Sequence, residues 1–516
     1  MNTLTQQHKQ DLHQLLQAFG LSGHTPLSNW IAGSARAGDG AAITLTDPVT
    51  GEALLDYNDA GAALVSQAVA GAQKGQAEWM KLSASERGRR MLQALSGLQG
   101  REEDLAKLES LVAGKPIRDC RAEVAKVREM FEYYAGWCDK QHGLVIPVPT
   151  SHLNYVHRVP YGVVGQITPW NAPMFTCAWQ LAPAIAAGNA VVLKPSELTP
   201  FTSIVIAACL EKAGLPEGLI NIVNGLGPTT GSALTGHQEI AKLVFVGSPG
   251  SGRLIAQAGA QRLVPTVLEL GGKSANIIFE DACLDEAVAG AQAAIFGAAG
   301  QSCVAGSRLL VQESLLEAVC ERLAKACPRI QVGLPSSPET QMGPLQNGRQ
   351  HQHVSRMIRD AVNDGATIVT GGGLPQGLPT EAQSGYFVAP TVLRNVTPSM
   401  EIAQEEVFGP VVVVMPFTDE QHAISLANST RFGLAGAVWT QNVARGHRVA
   451  RQLRVGTVWV NSYKSISVMS PFGGFGESGY GRSSGTEGLQ EYTLPQSIWV
   501  ETAEKASIAM GYGSGD

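Results

Sequence analysis

The chain has 516 residues with a formal net charge of −6, 44% hydrophobic and 16% charged. That length exceeds what one hydrophobic core supports, so two or more domains of ordinary globular composition are expected. Lysine and arginine form no run, which argues against a nucleic-acid surface, and no stretch reaches the ~18 apolar residues of a membrane span.

The opening, MNTLTQQHKQDLHQLLQAFG, lacks the basic start, apolar core and cleavage site of a signal peptide. It predicts an amphipathic packing helix within an extension over 1–27, with Leu4, Leu12, Leu15, Leu16 and Phe19 available for one stripe. Residues 30–145 read as largely helical. From about residue 160, apolar β-branched runs alternate with helical stretches: GVVGQIT (162–168), NAVVLKP (189–195), LINIVNG (219–225), KLVFVGS (242–248) and TVLELGG (266–272). Strands separated by helices imply parallel pairing in a doubly wound α/β domain, which binds ligands beyond the carboxyl ends of its strands. A second alternating region follows residue 273, with SANIIF (274–279), SRLLVQ (307–312), GPVVVVMPF (409–417), GAVWTQ (436–441) and GTVWVN (456–461). HLNYVHRV (152–159) and EYTLPQSIWV (491–500) fall outside both domains and read as edge strands expected to pair with another subunit. The last dozen residues predict no element. Eight scattered cysteines show no C-x-x-C and no zinc spacing, which predicts free thiols, a cytoplasmic setting and no metal.

The predicted strand ends carry the chemistry. Asn171, between Pro169-Trp170 and Ala172-Pro173, is either a fixed hydrogen-bond donor or the cap of the next helix. Lys194 and Glu197 suit a sugar diol or form a surface ion pair. The turn Gly225 to Gly231 is weak evidence, but Gly247-Ser248-Pro249-Gly250 follows a strand and opens a helix, where unpaired N–H groups suit a diphosphate. Glu269 ends an apolar strand, as a general base or a domain-junction salt bridge. Cys303, in GQSCVAGSR, sits among residues too small to bury it well, so a nucleophile competes with a small buried hydrophobe.

Taken in order, PWNAP, KPSE, FVGSPGSG, LELGGK, GQSCVAGSR, EEVFGP and SPFGGFGESGYGR resemble the aldehyde dehydrogenase superfamily over roughly residues 160–485. The Glu269-to-Cys303 separation, 303 − 269 = 34, suits that family. The resemblance implies two doubly wound α/β domains with a small β oligomerisation arm. A Rossmann-like NAD-binding domain would span 28–146 and 165–272, a catalytic domain 273–484, and the arm 147–164 and 485–505. It implies an NAD-dependent oxidation of a small-molecule aldehyde to its acid, by a homodimer or homotetramer without nucleic-acid or membrane partners. Cys303 would be the nucleophile, Asn171 the oxyanion donor and Glu269 the base for thioester hydrolysis. The cofactor would be held by Ile167, Thr168, Pro169, Trp170, Lys194, Ser196, Glu197, Gly227, Gly231, Phe245, Gly247, Ser248, Leu270, Glu406 and Phe408. Glu197 would repel a 2′-phosphate, so NADP is the lesser cofactor. The aldehyde tunnel would be lined by Met174, Cys177, Trp179, Phe296, Ser302, Val304, Ile466 and Phe472, with Tyr463 and Lys464 near its mouth favouring a polar or anionic tail. Two positions depart from a proton relay used by some relatives, Gln180 for a lysine and Ser483 for a glutamate, and Glu477 lies nearby in sequence. The rival readings are a CoA-acylating dehydrogenase and a catalytically silent binding or structural relative.

Overall fold

β-Branched residues buried on both faces suit a parallel sheet covered by helices. The computed structural model describes residues 2–23 and 25–506, so residues 507–516 of the patternless tail lie outside the description. The first apolar runs form β1 (Val163–Ile167), β2 (Ala190–Lys194), β3 (Ile220–Ile222), β4 (Lys242–Val246) and β5 (Thr266–Glu269). They lie parallel in the order β3-β2-β1-β4-β5. Helices α1 (Pro173–Ala186), α2 (Phe201–Lys212) and α3 (Pro249–Arg262) follow β1, β2 and β4. The chain winds outward in opposite directions from β1 and β4, and a crevice opens at their carboxyl ends. Asn29–Ile31 and Ser34–Arg36 extend the β3 edge. Gly479–Tyr480 returns to the β5 edge, with Gly479 opposite Glu269.

The second sheet contains β6 (Ala275–Ile278), β7 (Arg308–Gln312), β8 (Thr391–Arg394), β9 (Val411–Phe417), β10 (Ala435–Trp439) and β11 (Thr457–Val460), with α4 (Leu284–Phe296) between β6 and β7. Its order is β8-β9-β7-β6-β10-β11, all parallel, with Thr367–Thr370 antiparallel outside β8. Each sheet has its own hydrophobic core.

Three features depart from the sequence expectation. The stretch 30–145 includes a hairpin, Ala42–Thr46 with Ala53–Asn58, whose first strand alternates exposed and buried side chains with period two. The two strands read as edges pair with each other, His152–Pro160 against Thr493–Glu501, and Leu144–Ile146 takes the other side, so His152–Pro160 is the central strand while Thr493–Glu501 keeps one open edge. Their facing ladder hydrogen bonds are therefore met within the chain. The N-terminal helix Thr3–Ala18 buries Thr5, His8, Leu12 and Leu16, while Leu4 and Leu15 are only half-buried. It is pinned by His8 Nδ1 to Asp47 Oδ2 at 2.8 Å and Thr5 Oγ1 to Thr50 Oγ1 at 2.8 Å. Among the described residues no helix is long and apolar enough to cross a membrane, and no group of three His, Cys, Asp or Glu could hold a metal ion.

Candidate active site

A cleft of about 1700 Å³ runs from the strand ends of the first sheet to the loop that carries Cys303. The β1 loop is stiffened by its two prolines. Asn171 Nδ2 donates to Gln301 O at 2.9 Å, two residues before Cys303. Ala172 is the N-cap of α1 and provides no side-chain cap, so the Asn171 amide serves the nucleophile loop rather than the helix. One of its two N–H groups stays free for another acceptor.

After α4 the chain takes three left-handed residues in succession, Ala298 (φ 54°), Ala299 (φ 53°) and Gly300 (φ 72°). Each alanine there costs roughly 1–2 kcal/mol, a strain that surrounding packing must hold. That packing has no spare room: a Cβ on Gly300 would lie 2.0 Å from Gly409 O, and one on Gly272 would lie 2.6 Å from Cys303 O. Cys303 lines the cleft but is otherwise enclosed. Burial pushes its thiol up to about 12, with Glu406 and Glu269 adding to the rise and the Val304 and Cys303 N–H groups opposing it. A thiol in that state needs a base or an added positive charge to become a nucleophile.

Glu269 ends β5, 3% exposed, and accepts a hydrogen bond from Ser483 Oγ at Oε1, 3.0 Å. Oε2 has no partner among the described residues. Burial lifts this carboxyl to about 8, while the Ser483 bond and Arg482 pull it down. The salt-bridge reading fails, because no cation lies within 4 Å of Glu269 among the described residues. The returning tail fixes its strand, with Leu270 N donating to Ser478 O and Ser478 Oγ to Gly271 O, at 3.0 and 2.7 Å.

Along the rest of the cleft, buried Lys194 stands 3.6 Å from Glu197. Burial lowers the lysine's pKa and Glu197 opposes the shift. Ser248 Oγ caps α3 by accepting from Ser251 N at 3.3 Å. A Cβ on Gly247 would strike the Phe245 ring at 2.5 Å, so glycine alone fits above that ring. Glu406 Oε1 accepts from Gly272 N at 2.9 Å, and burial lifts its carboxyl to about 7. Phe408 meets Trp170 edge to face, with ring centroids 5.3 Å apart.

The cleft wall includes Cys303, Glu269 and Asn171 together with every residue expected to hold the cofactor, Ile167, Thr168, Pro169, Ser196, Gly227, Gly231 and Leu270 among them. Of the expected tunnel, Trp179, Ser302, Val304, Ile466 and Phe472 line it. Met174, Cys177 and Phe296 do not, and their assignment is corrected. On α1 the cleft-facing stripe is Ala172, Phe175, Thr176 and Trp179, spaced i, i+3, i+4, i+7. Met174 and Cys177 point the other way into the first core, and Phe296 ends α4 inside the second. Helical periodicity was the signal that finds Phe175 and Thr176. Gln180 has both amide atoms buried without a partner among the described residues, and Glu477 is taken by Arg253 and Arg431 at 2.7 and 2.8 Å. Neither is hydrogen-bonded to Glu269.

The aldehyde dehydrogenase family model matches residues 35–498. Human retinal dehydrogenase 2 is 41% identical over 91% of this chain and 90% of its own length. Betaine aldehyde dehydrogenase of Bacillus subtilis is 39% identical over 90% of this chain and 95% of its own. The NAD complex of PnpE, a protein of Pseudomonas sp. WBC-3, superposes with a TM-score of 0.91 at 41% identity, covering 94% of this chain and 99% of that one. Likeness of this extent in both sequence and fold, around a cleft on which a thiol, a carboxylate and a carboxamide converge, makes the chain a member of the aldehyde dehydrogenase family.

Proposed function

We propose that the protein oxidises an aldehyde to its carboxylic acid with NAD, through an acyl group carried on Cys303. The observation that carries this reading is the convergence of Cys303, Asn171 and Glu269 on one cleft that continues to Lys194, Glu197 and the start of α3. The cleft's own chemistry suits NAD. Lys194 and Glu197 offer donor and acceptor to a ribose diol, the N-terminus of α3 offers unpaired N–H groups to a diphosphate, and Glu406 offers a carboxylate to the second ribose. NAD, when bound, supplies the hydride acceptor of the oxidation.

Cys303 Sγ, once deprotonated, adds to the aldehyde carbon. The carbonyl oxygen becomes an oxyanion facing the free N–H of Asn171 and the backbone N–H of Cys303, donors worth roughly 3–4 kcal/mol each in such sites. After oxidation the acyl group is a thioester on Sγ. Glu269 takes a proton from water at a carboxylate oxygen, the resulting hydroxide adds to the thioester carbon, and the C–S bond breaks to release the acid and restore the thiolate. Glu269 supports water rather than CoA as acyl acceptor. Eight free cysteines support a reducing, cytoplasmic setting.

An NADH-absorbance screen across neutral aldehydes tests the reaction, with Cys303→Ala as control. NADH formation that disappears in the variant, with acid as product and no dependence on added CoA, is the expected result. NADH formation surviving in Cys303→Ala overturns the covalent reading. The relatives carry the names of two different aldehydes, betaine aldehyde and retinal. The mostly apolar walls, Phe175, Trp179, Phe472 and Val304, suit a medium-sized aliphatic or cyclic substrate.

A further inference from the structure

The loop ahead of Cys303 needs a restraint from outside itself, because Ala298 and Ala299 both keep a left-handed backbone. Gln301 supplies the local part of it. Its N–H and its Nε2 both donate to Ala298 O, at 3.0 and 3.2 Å, and its own O accepts the Asn171 amide. Gln301 Oε1 in turn accepts from Gln346 N at 2.9 Å. The position of the nucleophile loop therefore depends on the segment that carries Gln346.

Gln346 is 2% exposed and lies where the two cores meet, since Leu345 belongs to the second and the Gln346 side chain reaches Val112 of the first. Its Nε2 donates to Val112 O at 3.3 Å and to Leu198 O at 3.2 Å. Val112 is in the last turn of the helix Glu102–Ala113, where carbonyls have no partner inside the helix. Leu198 follows Glu197 on the loop beyond β2 and lines the cleft. Carbonyl oxygens only accept, so the amide nitrogen is the end that faces them. The amide oxygen accepts from Asn347 Nδ2 at 3.2 Å. Asn347 Oδ1 caps the helix Gly348–Asn363 by accepting from Gln350 N at 2.9 Å. Gln350 Nε2 then donates to Val407 O and Phe408 O, at 2.9 and 3.0 Å. The stretch 346–350 thus ties together the nucleophile loop, the loop that carries Lys194 and Glu197, and the segment that carries Glu406 and Phe408. Removing the Gln346 amide would leave two acceptors without their donor at once, in a place where water does not replace it.

We propose that Gln346 is a positioning residue for the oxidation. By bridging Val112 O and Leu198 O it anchors Gln301, so that the Cys303 thiol and the Asn171 amide meet one carbonyl group. The inference rests on the oxidation reading above and goes beyond it in assigning a residue that does not itself line the cleft.

The test follows single-turnover NADH formation and the aldehyde KM in the wild type, Gln346→Met, Gln346→Glu and Gln346→Lys. Methionine keeps the length without a hydrogen bond, and glutamate keeps the shape but turns oxygen towards both carbonyls. Lysine supplies an ammonium that donates to both. The methionine and glutamate variants should slow the single turnover by about 10–100-fold, the cost of a displacement of order 1 Å among reacting groups, with KM near its starting value. Gln346→Lys should recover most of that loss. In an Asn171→Ala background, Gln346→Met should cost less than it does alone, because part of what Gln346 positions is gone. A turnover rate unchanged in both the methionine and glutamate variants, with only the melting temperature lowered, makes the role structural and overturns the inference while leaving the oxidation intact. An equal factor with and without Asn171→Ala overturns it too. If Gln346→Met does not fold, a loss in Gln346→Lys as large as in Gln346→Glu has the same force. Absence of NADH from the wild type with every aldehyde removes the oxidation reading itself.

Discussion

Burial lifts the Glu269 carboxyl to about 8, against the pull of Ser483 and Arg482 and with Glu491 adding to the rise. A general base works only when ionised, so kcat should rise as pH passes through about 8. Glu269→Gln should lose that limb and lower steady-state turnover by about 10²–10⁴-fold, yet retain a first burst of NADH in stopped-flow, because acyl transfer to water is the step disabled. The same shift bears on stability. Its folded-state pKa lies above the unfolded value, so its stabilising contribution is complete below the unfolded pKa and is lost as pH rises through about 8. Thermal melts should accordingly find Glu269→Gln more stable than the wild type above that pH, with the difference vanishing in acid. Ser483→Ala removes a bond that lowers the Glu269 pKa, so the kcat limb should move to higher pH, and Ser483→Thr should restore it. A purely structural role for Ser483 would change the melting temperature and leave the pH profile in place.

On α1, neighbouring residues serve opposite purposes. Met174→Ala, inside the first core, should destabilise the fold by about 2–5 kcal/mol in denaturant titrations while leaving KM for the aldehyde near its starting value. Thr176→Trp, on the cleft stripe, should raise that KM instead. The sequence contains the information to separate them, since 172, 175, 176 and 179 recur at helical spacing. Motif correspondence located the segment but not its rotation about the helix axis. Strand positions were easier to read. Runs such as AVVL (190–193) and LVFV (243–246) are apolar because both faces are covered, so no choice of face arises. The hairpin at 42–58 was missed because its strands are short and partly exposed, and its pattern is weak beside the helices that follow.

At the scale of the whole molecule, two expectations concern cofactor choice and assembly. Glu197 lines the cleft with Lys194 at 3.6 Å, and its charge opposes a 2′-phosphate. Kinetics with both cofactors should favour NAD, and Glu197→Gln should narrow the difference by about tenfold, as loss of about 1.4 kcal/mol of repulsion would. The three-stranded arm exposes Leu144, Val145 and Trp499 along open edges, a surface suited to a homodimer or homotetramer. Val145→Asp with Trp499→Glu should lower the mass measured by light scattering, and an unchanged mass places the contact elsewhere. The local pattern of apolar runs, helix signals and glycine turns determined the two α/β layers and the short segments from which the chemistry comes, because strand and helix formation depend on neighbours in sequence. Which side chains of those segments meet was decided only by the tertiary structure. The Ser483 bond to Glu269, the Asn171 bond to Gln301 and the Gln346 bond to Leu198 join residues 214, 130 and 148 positions apart. Such pairings follow from how two sheets pack and how the tail returns to β5, and no local periodicity encodes them.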